Sequence, residues 1–137
     1  EKALKRASRL VKMLGAQPLR MTAAAHDCAV AAMSALPQLA SIALTLAASD
    51  AAGLTASRRA ASRLAGPGYK DATRIAMSPY DIWRPAIAAN RREILRCLRA
   101  LERSTARIAR AARQADARAM ERLFSKARSV RKRVVAG

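Results

Sequence analysis

The apolar positions at the start of the chain follow the spacing of an amphipathic helix. Residues 1–14 carry apolar side chains every three or four positions, separated by lysines and arginines. Gly15 follows, in a position that commonly ends a helix. Residues 16–21 are too few for a further helix and include Pro18, so they predict an extended segment or an edge strand.

Residues 23–48 are the most apolar stretch, with Thr22 placed to cap a helix at their start. Pro37 predicts a kink or a break inside that helix. Residues 28–48 carry no charge, and at about 1.5 Å per residue such a helix would cross the hydrocarbon core of a bilayer. Alanine, serine and threonine make the stretch only weakly hydrophobic. A central helix packed on all sides is the preferred interpretation, and a membrane span is the alternative.

The middle of the chain is rich in turn signals. Residues 55–65 predict a short basic helix that ends at Gly66, and Gly66-Pro67-Gly68 predicts a loop. Residues 70–76 predict a short helical turn. Ser78-Pro79 then predicts an N-cap followed by proline at the first helical position, with Asp81 completing the start of a helix.

Two long amphipathic helices are predicted for the last third of the chain. Pro85 should kink or restart the first, which then runs over residues 86–113. Asp116 is placed to cap the second, residues 117–134, and the two are expected to form an antiparallel hairpin. Their apolar stripes predict core, with part left for a subunit interface. The stripes comprise Ile87, Ile94, Leu98, Leu101, Thr105, Ile108 and Ala112, and Met120, Leu123, Phe124, Ala127, Val130 and Val134.

The charge balance changes this picture little. The 137 residues carry a net charge of +18, which raises nucleic acid and anionic membranes as partners. The arginines recur on the polar faces of several helices instead of forming one block, and aromatic residues make up only 3% of the chain, too few for a base-stacking platform. We therefore do not expect nucleic-acid binding, and keep a basic helical nucleic-acid-binding module as the alternative function.

The chemistry-bearing residues exclude several classes of site. Cys28 and Cys97 form neither a disulfide framework nor a zinc-ligand spacing, which favours reduced thiols in a cytoplasm. With His26 as the single histidine, we expect no metal site. The sequence contains no glycine-rich phosphate loop and no recognisable nucleophile with a base. A free-standing enzyme is not expected.

A small polar set remains. It comprises the His26-Asp27 pair, Gln38, and Lys70 with Arg74 after the Gly-Pro-Gly turn. Lys70 and Arg74 are four residues apart, so on a helix both cations share one face and can grip a carboxylate, Arg74 through two parallel hydrogen bonds. From the spacing alone, a solvated basic face is the preferred interpretation.

A resemblance to a known family changes that preference. The segments that carry it are His26-Asp27-x-x-x-Ala31-x-x-Ser34-x-Leu36-Pro37, then Gly68-Tyr69-Lys70-Asp71-Ala72-Thr73-Arg74-Ile75-Ala76, then Trp83-Arg84 and Asn90-Arg91. In this order they resemble the motifs of the prephenate dehydrogenase family, and the resemblance covers essentially the whole chain.

The resemblance implies an all-α dimerisation and substrate-binding domain, residues 22–137, with a kinked central helix and a long C-terminal helical hairpin. Residues 1–21 would be the last helix and short strand of a Rossmann-like domain that is otherwise missing. That domain would bind NAD or NADP and supply the catalytic histidine, so this chain alone would hold no cofactor and no catalytic residue and would be inactive. The complete enzyme would be a cytoplasmic homodimer that oxidatively decarboxylates prephenate or arogenate for tyrosine biosynthesis, with no membrane partner.

The resemblance also assigns residues to a substrate site. Arg74 would hold a substrate carboxylate, and Asp27 would pair with Arg74 or gate access to it. Lys70, Asp71 and Trp83 would line the pocket, partly from the partner subunit.

Three further positions complete the expected site. His26 belongs to the family's His-Asp pair, with a helix-start hydrogen bond as an equal alternative. Ala35 and Gln38 stand where the common pattern S-H-L-P-H has histidines. A glutamine amide can donate to prephenate's ketone or accept from arogenate's ammonium, so Gln38 by itself does not choose the substrate.

Overall fold

The computed structural model describes residues 1–51 and 63–136, and every regular element in them is helical. We number the α-helices in chain order. They are α1 (Lys2–Met13), α2 (Ala23–Val30), α3 (Leu36–Ala51), α4 (Pro67–Thr73), α5 (Tyr80–Ala89), α6 (Arg91–Arg113) and α7 (Ala117–Ala136), with a π-helical turn at Ala31–Ala35 and a 3₁₀ turn at Arg74–Met77. The expected all-α class is confirmed.

Helix α1 ends as the sequence predicts. Gly15 takes the left-handed conformation (φ 76°), and the Ala16 amide donates to the Val11 carbonyl at 3.1 Å, which closes the last turn. Residues 16–22 have no regular secondary structure and form no ladder with another described segment, and Thr22 at their end has extended backbone (φ −71°, ψ 156°). The predicted helix-free segment is therefore present, and the predicted edge strand is absent from the described residues, because a strand needs a neighbouring strand for its backbone hydrogen bonds.

The central helix is continuous from α2 through the π turn into α3. Its predicted cap is confirmed, since the Thr22 Oγ1 accepts a hydrogen bond from the Ala25 amide at 3.2 Å. The break predicted at Pro37 is absent, since the helix continues through Pro37. The π turn directly before it changes the hydrogen-bond register by one residue, which accommodates a proline without its own N–H.

The core lies where this central helix crosses α6. Ala31 and Ala35 pack against Ile94 and Cys97, and the partly buried residues around them are Ala32, Leu36, Leu39, Trp83, Ile87 and Leu98. Because alanine has the smallest apolar side chain, the two helix backbones approach closely here, and the contact anchors α5 as well.

Only one stripe of the central helix is buried in the described chain. It continues from Ala31 and Ala35 to Gln38 and Ser41, which face away from solvent. On the rest of the helix Met33 is 64% exposed. The expectation of a helix packed on all sides is therefore wrong for a single chain, since no described element covers its other faces.

By length and composition this helix also qualifies as a membrane span. Residues Ala23–Ala51 have a mean hydropathy of 1.6 in their most apolar window, of which 22% is buried. The buried stripe contains the polar Gln38 and Ser41 and is matched by protein on α6 and on the 3₁₀ turn. The helix therefore combines a length and composition compatible with a membrane span with one stripe that packs against protein.

The region between residues 63 and 77 is more helical than its glycines suggest. The predicted helix over residues 55–65 lies for the most part outside the described residues. The predicted loop at Gly66-Pro67-Gly68 is wrong beyond Gly66, because Pro67 is the first residue of α4 and Gly66 is its N-cap. Proline is favoured at that position, where its missing N–H costs no hydrogen bond. The helical turn predicted over residues 70–76 is confirmed.

Two predictions about α5 are corrected. Its N-cap is Pro79, and no side chain caps it, so Ser78 lies one residue too early for the predicted role. Pro85 sits inside α5, and the helix restarts later, at Asn90 (φ −116°, ψ 27°). The Asn90 Nδ2 donates to the Asp27 carbonyl at 2.7 Å, and this contact holds the break in place.

The predicted hairpin of α6 and α7 is present and turns at Ala115, which has a positive φ of 49°. The Asp116 Oδ1 accepts from the Ala119 amide at 2.9 Å, as the predicted cap requires. No residue of α7 is buried, however, and Phe124 is 67% exposed. Met120 and Leu123 are half-buried, whereas the other members of the stripe, Phe124, Ala127, Val130 and Val134, are exposed, so for these four the core prediction is wrong in the single chain.

The tight helix crossing at Ala35 leads to a prediction about the free energy of unfolding. Ala35→Leu should lower the free energy of unfolding by about 1–3 kcal/mol, since the larger side chain cannot enter without separating the central helix from α6. Urea denaturation followed by circular dichroism measures this change. Ala43→Leu on an exposed position of the same helix is the matched control, and an equal loss in both variants would contradict the packing described.

Candidate functional site

The buried Gln38 fastens the 3₁₀ turn to the central helix. Its Nε2 donates to the Ile75 carbonyl at 2.8 Å, and the residue is 3% exposed. Ser41 lies one turn further along the same stripe, with its Oγ buried and without a hydrogen-bond partner in the described residues. Gln38 therefore donates one of its two amide N–H groups to the protein's own backbone, and the contact sets the position of the residues on either side of Ile75.

Lys70 and Arg74 lie beside this contact on the solvent side. Lys70 is in α4 and Arg74 begins the 3₁₀ turn, both are exposed, and neither forms an ion pair or a side-chain hydrogen bond within the described ranges. The Thr73 Oγ1 donates to the Tyr69 carbonyl at 2.7 Å, which ties the end of α4 to its own preceding turn. The result is a pair of cations, one in α4 and one at the start of the 3₁₀ turn that Gln38 fixes, with which no acidic side chain of the described residues pairs.

Two free cations of this kind suit an anionic group. The Arg74 guanidinium can bind a carboxylate through two parallel hydrogen bonds, and the Lys70 ammonium adds a second positive charge. Asp71 is exposed between them in sequence. The geometry and charge of Lys70 and Arg74 are those of a binding site for a carboxylate.

The His26-Asp27 pair lies elsewhere in the single chain. The Asp27 Oδ1 is 3.3 Å from the His26 Nδ1, and the pair precedes Gln38 by three turns of the same helix, about 16 Å at 1.5 Å per residue. The Asp27 side chain makes no ion pair with Arg74 within the described residues. One chain therefore does not bring the two halves of the predicted polar set together.

At the His26-Asp27 end, the structure adds contacts that the sequence did not suggest. The Arg96 Nη2 donates to the Cys28 Sγ at 2.8 Å, and its Nε donates to the Glu93 Oε2 at 2.7 Å. The hydrogen bond to Glu93 raises the pKa of the Arg96 guanidinium above its ordinary value. Arg96 and Cys28 are 68 positions apart, and no spacing rule connects them.

Trp83 is half-buried and packs against the core cluster of Ala31, Ala35, Ile94 and Cys97. Within one chain the indole thus lines the contact between α5 and the central helix. Of the predicted site residues, the structure places Gln38, Lys70, Asp71 and Arg74 on neighbouring elements. Trp83 packs against the core cluster, whose member Ala35 lies about one turn before Gln38 on the central helix, and His26 and Asp27 lie about three turns before Gln38.

Comparisons with known proteins agree with this fold. The family described as "Prephenate dehydrogenase, dimerization domain" matches residues 22–126. The crystal structure of Synechocystis arogenate dehydrogenase superposes with a TM-score of 0.83 at 24% identity, covering 97% of this chain and 48% of that one. No curated protein sequence matches the chain.

The chain belongs to the prephenate dehydrogenase dimerisation-domain family, as its motifs implied. At 24% identity, the likeness to the Synechocystis enzyme concerns the fold. The chain spans about half the length of that protein. The family match begins at Thr22, the residue that caps the central helix.

The buried amide of Gln38 leads to a prediction about the stability of the 3₁₀ turn. Gln38→Leu should destabilise the fold by about 1–3 kcal/mol and speed amide exchange around Ile75, because the Ile75 carbonyl loses its donor while still partly buried. Hydrogen exchange read by mass spectrometry over residues 67–77 measures the effect. Gln17→Leu, an exposed glutamine, is the control, and unchanged exchange in Gln38→Leu would show that the hydrogen bond does not hold the turn.

Proposed function

We propose that this chain is the dimerisation and substrate-binding part of a prephenate or arogenate dehydrogenase, and that Arg74 binds a carboxylate of the substrate. The observation that carries the proposal is the exposed, unneutralised pair Lys70 and Arg74 on a turn fastened by Gln38, within a chain of this family. A charged hydrogen bond of this kind contributes about 1.5–3 kcal/mol to binding. Lys70 and Asp71 border the same position.

We propose that the assembled enzyme, and not the single chain, gives roles to Asp27, His26 and Trp83. Within one chain Asp27 lies about three helical turns from Gln38, too far to reach the Arg74 of that chain. In a dimer, Asp27 would gate or pair with an Arg74 of the second copy. His26 would orient Asp27, with which it is in contact at 3.3 Å, and Trp83 would line the pocket.

The residues of this chain do not fit a dinucleotide. Its sequence has no glycine-rich turn between a strand and a helix, and Gly15, the described glycine with positive φ, ends α1 instead of starting a helix. We therefore assign no step of hydride transfer and no catalytic residue to this chain. In the complete enzyme, NAD or NADP bound to a separate domain would accept the hydride, and this chain alone would be inactive. The boundary between that domain and the helical one is proposed after residue 21.

A homodimer formed through the helical domain explains the exposed apolar surface. Met33 and Leu44 on the central helix and Phe124 on α7 are large apolar side chains that the single chain leaves exposed. Exposed apolar surface of this kind is typical of protein interfaces where it is contiguous. A second copy packed on these faces would bury it. The name of the matched family, a dimerisation domain, supports this assembly.

We propose a cytoplasmic location without a membrane partner, which rests on the reduced cysteines and on the packed stripe of the central helix. The alternative of a basic nucleic-acid-binding module gains no support from the comparisons, which point to a dehydrogenase family.

The role of Arg74 is tested in the complete enzyme. Arg74→Ala should raise KM about ten- to a hundredfold with a small change in kcat, because it removes a binding contact remote from hydride transfer. Its melting temperature should stay unchanged, since the side chain is exposed and unpaired. Steady-state kinetics with prephenate and with arogenate measure this and also identify the preferred substrate. Arg128→Ala on α7 is the matched control, and equal kinetics in both variants would remove Arg74 from the site.

The dimer is tested on the chain as it stands. Leu44→Asp should shift the chain from dimer to monomer, because a buried, unpaired carboxylate costs several kcal/mol at an apolar interface. Light scattering coupled to size-exclusion chromatography gives the mass. Leu14→Asp, at the exposed end of α1, should leave the dimer intact. A monomer in the unmodified chain at micromolar concentration would count against the proposed assembly.

A further inference from the structure

We propose that the cleft between α6 and α7 binds a small, multiply charged anion carrying phosphate or several carboxylate groups. The cleft has a volume of about 290 Å³ and is bounded by four basic side chains, Arg107 and Arg110 from α6 and Arg122 and Lys126 from α7. It lies beside the hairpin turn, outside the proposed substrate site. The inference does not depend on the dehydrogenase function.

The helical spacing makes these cations face one another. On α6 the cleft is lined at positions 107, 110, 111 and 114, and on α7 at positions 119, 122, 123 and 126. Both sets follow the i, i+3, i+4, i+7 pattern of a single helix face. In most hairpins this facing stripe is apolar, whereas here half of its positions are basic.

Small residues near the turn bring the two basic faces close. Ala111 is buried and Ala119 is half-buried where the helices meet. Ile108, which the sequence pattern placed in the interface, is 49% exposed, and Phe124 also points away from the cleft lining. At this end of the hairpin, the helix faces that meet are therefore basic, whereas the sequence pattern predicted apolar ones.

No acidic side chain neutralises the cleft in the part of the chain that the structure describes. The ion pairs found there use Glu1, Asp27 and Glu93, and none of these lines the cleft. The nearby Asp116 accepts from the Ala119 amide through its Oδ1 and forms no ion pair with a cation of the cleft within the described residues. Arg107 donates to the neutral Ser104 Oγ at 3.0 Å, which orients its guanidinium without cancelling its charge.

Four basic side chains that line one cleft create a positive potential there, which a bound anion would reduce. Guanidinium groups match phosphate and carboxylate oxygens through paired hydrogen bonds, and three of the four cations are arginines. The volume lies near the lower limit of small-molecule sites, about 300 Å³. A compact anion enters such a cleft, whereas a nucleic-acid duplex would contact only its outer edges.

The test uses isothermal titration calorimetry on the full chain at about 150 mM salt, where weak surface attraction is largely screened. Inorganic tripolyphosphate and citrate are titrated separately, and the tighter one identifies phosphate or carboxylate as the recognised group. We expect one anion per chain. The site variant R122Q/K126Q should weaken binding about tenfold or more, because it removes two of the four cations.

The matched control is R128Q/K132Q, which removes an arginine and a lysine at the same spacing on the same helix but outside the cleft. It should change the affinity less than about twofold. Equal weakening in both variants, or tighter binding of short duplex DNA than of either small anion, would overturn the proposal in favour of a diffuse basic surface. No binding to the unmodified chain would overturn it as well.

Circular dichroism verifies that both variants keep their helix content. As a measurement that needs no substitution, the Nε–H resonances of arginine side chains in the unmodified chain can be followed by NMR during titration with tripolyphosphate. Arg107, Arg110 and Arg122 should shift together, and Arg128 should not. A uniform shift of all arginines would contradict a defined site.

Discussion

The close approach of the central helix to α6 is the contact on which the rest of the structure depends. Ala31 and Ala35 have small side chains, and Ile94 and Cys97 pack with them in one buried cluster between the two helices. Trp83 and Ile87 close one side of the same contact and thereby place α5. Because interiors pack at crystal-like density, a single larger residue at this crossing would displace every element attached to it.

The same stripe of the central helix serves two purposes along its length. Its first half is apolar and packs against α6, and its second half, Gln38 and Ser41, is polar and meets the turn that carries Arg74. A buried amide that donates to a backbone carbonyl fixes one geometry in a way that an apolar contact does not, since the hydrogen bond is directional. The hydrogen bond from Gln38 to the carbonyl of Ile75, the residue after Arg74, therefore fixes the position of Arg74.

The described chain has a thin core for its size. The buried apolar residues are Ala31, Ala35, Ile94, Cys97 and Ala111, and three of these five are alanines. Burying so little apolar surface offsets only part of the conformational entropy lost on folding. If the proposed dimer forms, part of the missing apolar burial comes from the second copy, and stability then depends on protein concentration.

The sequence by itself determined the helical class, most helix ends and the family. Helical periodicity, the caps at Thr22 and Asp116 and the left-handed Gly15 are local features, which depend on residues a few positions apart. The motif around Lys70 and Arg74 was likewise readable, because it is contiguous. Local rules erred where two of them competed: Pro67 began a helix that the flanking glycines had argued against, and Pro85 was tolerated in a helix that broke at Asn90 instead.

Only the tertiary structure decided which faces meet. Periodicity defines an apolar stripe but not its partner, so the exposure of Phe124, the basic seam between α6 and α7, and the Arg96–Cys28 contact were invisible in the sequence. The separation of Asp27 from Arg74 has the same origin. Contacts between distant segments depend on the sum of all packing energies, whereas a cap or a turn depends on a few neighbouring atoms.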